Sequence, residues 1–200
     1  MSQPSALPGR FGRVVRDLER LLRATAVRAV VAGGWSVWHH GYVGRVTEDV
    51  DIVIPQCSEV DLLSNAMLFG FELVPVNPGS WPKLEHPSLE HPSLEHTETG
   101  IRVDLMPEGR YPGIPSRLAP IPIGHPLRYV DGLDQLDFIS LPGLFELKLG
   151  ARRAKDIADL VELIKVNQTK LDVIRIHLQS ASPAYASEFE ALIVQANKEA

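Results

Sequence analysis

The sequence predicts an α/β (α+β) chain: a small mixed sheet flanked by helices, with a C-terminal helical extension. Three observations carry that expectation. Apolar residues recur at helical spacing over 11–24 and through the last third of the chain. Short β-branched runs at 27–32, 50–54 and 101–106 have strand length, and Gly- or Pro-rich punctuation separates them. Two hundred residues can bury a sizeable core. The expected division is a main unit over 1–139, carrying an expanded loop at 84–96, and a helical segment over 140–200 that packs on it.

The first helix, 11–24, sets Phe11, Val14, Val15, Leu18, Leu21 and Leu22 on one side and Arg10, Arg13, Arg16, Arg20 and Arg23 on the other. The basic side is expected to be a solvated face, with RNA contact as the alternative. Residues 27–32 follow as a short buried strand, Gly33-Gly34 as a turn and 35–41 as a short helix. In the strand 50–54, Val50, Ile52 and Ile54 share one face, while Asp51 points the other way together with Asp49. The apolar face is expected to be core, and the acidic face to look out.

Ser58 is placed to cap a helix reaching 69, and 72–76 has strand character. A five-residue unit, Leu-Glu-His-Pro-Ser, then repeats nearly three times between Leu84 and His96. Pro87 and Pro92 break any continuous helix, and a step of five does not put His86, His91 and His96 on one strand face. A tandem expansion within a surface loop is therefore expected in preference to a metal site. Only 94–98 is required structurally, as the strand that turns through Thr99 and Gly100 into 101–106. Residues 108–126 are rich in Pro and Gly and are expected to form a long surface excursion over the site. Ser140 caps a helix with Pro142 in its first turn, and 170–179 and 185–198 supply two more helices.

The chemistry gathers around the carboxylates. Asp49 and Asp51 on one strand face repel each other unless a cation lies between them, and oxygen ligands suit Mg²⁺ or Mn²⁺. Asp104, opposite Val103 and Leu105 in its own strand, offers a third carboxylate, enough for two metals if the strands pair. Gly33 and Gly34 let backbone N–H groups approach an anion at the start of a helix, and Ser36 adds a hydroxyl. No Gly-Lys-Ser/Thr follows, so this is not a Walker loop, and the G-x-G-x-x-G of a dinucleotide fold is absent. A calcium loop fails because Val53, Ile54 and Val60 stand where ligands and glycine belong. Taken singly, a Gly-Gly pair is a turn and an Asp-x-Asp a solvated strand face.

The full pattern is a hydrophobic strand into Gly33-Gly34, a short helix, Arg45-x-Thr47-x-Asp49-Val50-Asp51, and later Val103-Asp104-Leu105. It resembles the nucleotidyltransferase superfamily of DNA polymerase beta type. Within it, the likeness is to the bacterial minimal nucleotidyltransferases, which include the toxins of abortive-infection type IV toxin–antitoxin systems. The segment 144–160, with Lys148 and the Lys155-Asp156 pair, is similar to the family's helical block.

The resemblance implies a nucleotidyltransferase fold in the first unit and transfer of a nucleoside monophosphate from a nucleoside triphosphate, with Mg²⁺ or Mn²⁺ as cofactor. It implies that Gly33, Gly34 and Ser36 bind the triphosphate, with Arg45, Thr47 and Asp156 as further nucleotide-binding residues. Asp49 and Asp51 would coordinate both metals. Asp104 would hold one and orient or deprotonate the acceptor hydroxyl. Lys148 would be a charge partner of the phosphates, and a packing role for it stands beside that reading. Many members have Gly-Ser where this chain has Gly34-Trp35, a departure that bears on Ser36. The implied acceptors are an RNA such as tRNA, a protein, or a small molecule such as an antibiotic, and a cognate antitoxin protein is an implied partner. The alternative is a catalytically weak interaction module.

A net charge of −5 argues against a protein that coats nucleic acid. Cys57 is the sole cysteine and excludes an intramolecular disulfide or a cysteine-rich zinc site. No apolar leader or long uncharged stretch is present, so a soluble cytoplasmic protein without membrane contact is expected. For Arg152, Arg153 and Asp159 a solvated face with intrahelical pairs is expected, and for His39 and His40 packing or surface roles.

Overall fold

The computed structural model describes residues 9–74, 92–114, 117–130 and 134–199. In chain order the elements are α1 (Gly9–Ala24), β1 (Ala29–Val31), α2 (Gly33–His39), β2 (Val50–Ile54), α3 (Glu59–Asn65), β3 (Phe71–Leu73), β4 (Ser93–His96) and β5 (Arg102–Pro107). A small hairpin, β6 (Gly113–Ile114) and β7 (Arg117–Leu118), precedes β8 (Leu136–Phe138). The helices α4 (Leu141–Ala151), α5 (Ala154–Val166), α6 (Leu171–Ala181) and α7 (Pro183–Glu199) close the chain.

Six strands form one mixed sheet in the order β3-β4-β5-β2-β1-β8. β2 runs parallel to β5 and antiparallel to β1, while β1 runs parallel to β8. Helices cover both faces, as the alternating strands require. On one face α1 and α3 bury Val14, Leu18, Leu21, Leu22 and Leu62 against Val31, Val50, Ile52, Ile54, Val103 and Leu105. Each fully buried leucine there contributes about 2 kcal/mol. On the other face Val30, Ala32 and Val53 pack under the C-terminal helices, with Phe145, Leu160, Ile164, Ile174 and Phe189. The expected fold class, a mixed sheet flanked by helices with a helical C-terminal segment, is the one observed.

That partition corrects one expectation. The acidic face of β2 does not look out over its whole length, because Val53 on the same face is buried beneath the C-terminal helices. Asp51 therefore sits at the margin of a covered face. The basic stripe of α1 belongs to the opposite side of the sheet, where Arg13 pairs with Glu98 at 2.6 Å and Arg20 with Asp17 at 3.1 Å.

Other boundaries also differ. Ser58 makes no side-chain cap bond, and the helix it precedes stops at Asn65. A 3-10 turn over Ala66–Phe69 then ends at Gly70, whose φ of 81° closes it. The helix expected through the 150s is two helices broken at Arg152, which has φ 50°. Ser140 does cap α4, accepting from the Gly143 N–H. Strand β8 was not foreseen, since three residues are too few to show a period. The excursion at 108–126 is not purely superficial: it carries the β6–β7 hairpin and buries Ala119 and Ile123. Of the repeat, 84–91 lies outside the described residues, as do 75 and 76 of the strand expected at 72–76. The last unit supplies β4, paired antiparallel to β5.

A buried carboxylate ties the helical segment to the chain before it. Glu146 accepts from the Tyr129 hydroxyl at 2.9 Å, from Arg128 at 3.2 Å and from His177 at 2.7 Å. Buried charge of this kind persists only when its lone pairs are met. Among the described residues no helix is long and apolar enough to cross a membrane.

Candidate active site

The parallel pairing of β2 and β5 sets Asp51 directly opposite Asp104, on strands about 4.8 Å apart. Asp49 lies just before β2 and adds its charge. Burial, then the charges of Asp49 and Asp104, push the Asp51 carboxyl up to about 6, while Arg153 and Lys148 pull it down. Asp51 thus feels the charges of two further carboxylates and of two cations. The Asp104 carboxylate is held in turn by Ser93, whose hydroxyl donates to Oδ1 at 2.5 Å from the facing position on β4.

The two glycines close the other side. Gly33 has φ 59°, a conformation that disfavours any side chain, and a Cβ there would overlap Asp51 Oδ2. A Cβ on Gly34 would overlap the Thr47 hydroxyl and approach Arg45 Nε to 2.8 Å. Glycine at both positions brings the turn's backbone against Asp51 on one side and against Arg45 and Thr47 on the other. Arg45 Nε is buried with no hydrogen-bond partner among the described residues. Ser36 does not join this mouth: it is fully buried, and its hydroxyl donates to the Val31 carbonyl at 2.6 Å. A side chain fixed on the backbone of β1 is spent within the fold, which corrects the expected phosphate contact.

Behind the carboxylates lies a buried chain of alternating charge. Arg45 donates to Asp159, which also accepts from Lys148 Nζ at 2.6 Å. Lys148 reaches Asp156 at 3.0 Å, and Asp156 accepts from Arg153 Nε at 2.7 Å and from the Arg153 backbone N–H at 3.2 Å. Burial pushes the Asp156 carboxyl up, but the Arg153 hydrogen bond and the charges of Lys148 and Arg153 outweigh it and hold Asp156 below the usual carboxylate range. Arg153 loses some basicity to burial and gains more from Asp156, Asp51 and Asp49. Lys148 and Asp156 are therefore engaged with each other, and neither stands open to a nucleotide as expected from the sequence. They connect the carboxylates to the helices.

Two contributors depart from expectation. Asp159, expected on a solvated face, is buried and bridges two cations, whereas Arg153 is as expected, exposed and paired with Asp156 within its own helix. A signal existed for Asp159: it lies between Ala158 and Leu160 in a largely apolar helix, three residues after Asp156, where a carboxylate needs a partner. Ser93, the second, sits in the repeat and carries no local signal. His39 and His40 are packing residues. His39 stacks on Phe138 at 4.0 Å, and the His40 ring donates to the Ile139 carbonyl at 2.7 Å, with burial lowering its pKa to about 4.

No family model and no curated relative matches the chain by sequence. Among solved structures, a crystal structure of ANT(2'')-Ia in complex with adenylyl-2''-tobramycin is 15% identical, covering 93% of this chain and 96% of its own, with a TM-score of 0.43. A solution structure of the antibiotic-resistance factor ANT(2'')-Ia is 12% identical over 94% of each chain, with a TM-score of 0.40.

Proposed function

We propose that this chain moves a nucleoside monophosphate from a nucleoside triphosphate to an acceptor hydroxyl and releases pyrophosphate, with Mg²⁺ or Mn²⁺ held by Asp49, Asp51 and Asp104. The observation that carries this reading is Asp51 and Asp104 in one register on adjacent parallel strands, against a Gly33-Gly34 turn that admits no side chain.

The donor set suits a hard divalent ion, being all carboxylate oxygen, and a cation there would relieve the burial and the neighbouring charges that raise the Asp51 carboxyl. Among the described residues no three His, Cys, Asp or Glu side chains are already drawn together as a metal cluster. A metal would have to draw the Asp49 and Asp104 side chains toward Asp51, which Asp104 faces in register on the adjacent strand. When bound, the metal polarises the α-phosphate and neutralises charge on the leaving pyrophosphate.

The chain's own groups do the rest. Gly33 and Gly34 let the backbone come close to the phosphates, and the unpartnered Arg45 Nε supplies a buried donor beside them. Asp104, aligned by Ser93, takes the proton of the acceptor hydroxyl as its oxygen bonds to the α-phosphorus. The α–β bridging bond breaks and pyrophosphate carries away the electron pair. Lys148, Asp156 and Asp159 hold Arg45 and Arg153 in place, so catalysis is positioning and charge compensation.

The test is incubation with α-labelled nucleotides and Mn²⁺ in the presence of total RNA, cell protein or a panel of aminoglycosides. Label should move to one of these three classes, and Asp51→Asn should stop it. Label transfer that persists in the Asp49→Ala, Asp51→Ala protein sinks the assignment. A toxin acting on RNA or protein should in addition arrest growth on expression, with relief by Asp51→Asn and by a co-expressed antitoxin.

A further inference from the structure

Arg153 belongs to two places at once. It is paired with Asp156, and it also lines a cleft of about 400 Å³ at the α4–α5 break. The β6–β7 hairpin contributes Arg117 to that cleft, the break contributes Arg152, and the start of α7 contributes Tyr185 and Glu188. These three walls are fitted closely. A Cβ on Gly150 would come within 2.7 Å of Pro112 and 2.9 Å of the Tyr185 hydroxyl. The cleft is thus set by the packing of the fold and not by one loose segment.

Its charge is lopsided. Among the described lining residues three guanidiniums face one carboxylate. Glu188 pairs with Arg152 and stands 3.7 Å from Arg117, so it gathers two like charges that would otherwise separate. Burial and the Arg117 charge hold the Arg152 guanidinium below its usual value. Arg152 also sits at φ 50°, where a non-glycine residue is disfavoured. Two neighbouring guanidiniums that share a single carboxylate are suited to phosphate, which takes paired N–H bonds from each fork.

Nucleotidyl transfer needs two substrates on opposite sides of the carboxylates. The glycine turn, with Arg45, lies against Asp51, and the cleft is lined by Arg153, the partner of Asp156. We infer that this cleft receives the phosphate of a phosphate-bearing acceptor, gripped by Arg117 and Arg152, while its hydroxyl reaches the carboxylates. The assignment of the acceptor to this side rests on the transfer reaction proposed above. The presence of an anion subsite does not.

The test titrates the full chain with inorganic pyrophosphate in EDTA, by calorimetry, with no nucleotide present. Saturable binding near one equivalent is expected, weakened about tenfold by Arg117→Ala and by Arg152→Gly, and unchanged in Asp51→Asn. Arg152→Gly removes the guanidinium while relieving the left-handed backbone, so the variant should fold at least as well as the parent. In the second arm, affinity for a non-hydrolysable nucleoside triphosphate with Mg²⁺ should be unaltered in both arginine variants. Absence of pyrophosphate binding, or binding indifferent to both arginines, overturns the subsite. A parallel fall in triphosphate affinity places the donor's own phosphates there and overturns the acceptor assignment. Pyrophosphate binding without any label transfer separates a failure of the transfer reading from a failure of the cleft.

Discussion

Asp51 is the residue on which the account turns, and two of its properties are measurable without any substrate. The first is its neighbour. Gly33→Ala must combine a left-handed φ with overlap onto Asp51 Oδ2, and should cost about 2–4 kcal/mol in urea denaturation. The second is protonation. Its folded pKa of about 6 exceeds the ordinary 3.8, so the folded protein holds this proton more tightly than the unfolded chain does. The stabilisation is complete below the unfolded pKa and is lost as pH rises through about 6. Asp51→Asn is neutral throughout. In metal-free buffer at pH 7.5 it should therefore be more stable than the parent by on the order of 2 kcal/mol, with the gap closing toward pH 4. Equal stability of the two proteins across that range would show that burial and the neighbouring carboxylates do not hold the Asp51 proton as described. His40 acts in the opposite sense, its lowered pKa making the fold less stable as pH falls through about 6.5 toward 4. Only the difference between variant and parent isolates Asp51.

At the level of elements, the carboxylates are placed by strand pairing and the cations by helices. The Val50–Ile54 strand was legible from its alternation, but the register setting Asp51 against Asp104 is a long-range pairing that no local pattern encodes. The α4–α5 break was equally hidden, since Arg152 is not a residue that announces a left-handed turn. That break lets Arg153 fold back onto Asp156 and sends Lys148 toward two carboxylates on α5. Asp159→Asn leaves Arg45 and half of the Lys148 contacts without a counter-charge, and should cost about 3 kcal/mol in stability. It should also raise the KM for the nucleoside triphosphate more than it lowers kcat, because Arg45 is held for binding; steady-state kinetics on the labelled donor would measure both. The α1 stripe provides the control element. Arg16 and Arg23 are exposed on a helix that packs against the face opposite Asp51. Changing both to Ala should leave the transfer rate within about twofold, and a larger loss would bring that face into the site.

Over the whole molecule, the sheet is a platform with one face closed by α1 and α3 and the other by α4 to α7. Asp51 and Asp104, the carboxylates proposed to act, lie at the margin where the second cover begins. The fold class was legible because apolar spacing switches visibly between helix and strand periods, in Leu18 to Leu22 as against Val50 to Ile54. Asp49, Asp51 and Asp104 were legible as three candidate residues. Their surroundings were not, because Ser93 comes from the repeat and Asp159 from a helix face expected to be solvated. Residues that serve the site by touching one another leave no periodic trace. The measurement that bears most directly on the central claim is the rate of label transfer from an α-labelled nucleoside triphosphate in Asp51→Asn, Asp104→Asn and the double variant. If the two carboxylates hold one metal site, each single change should lower the rate by about 10²-fold or more, and the double change should add little beyond either. Transfer at the parent rate in either single variant would contradict the account.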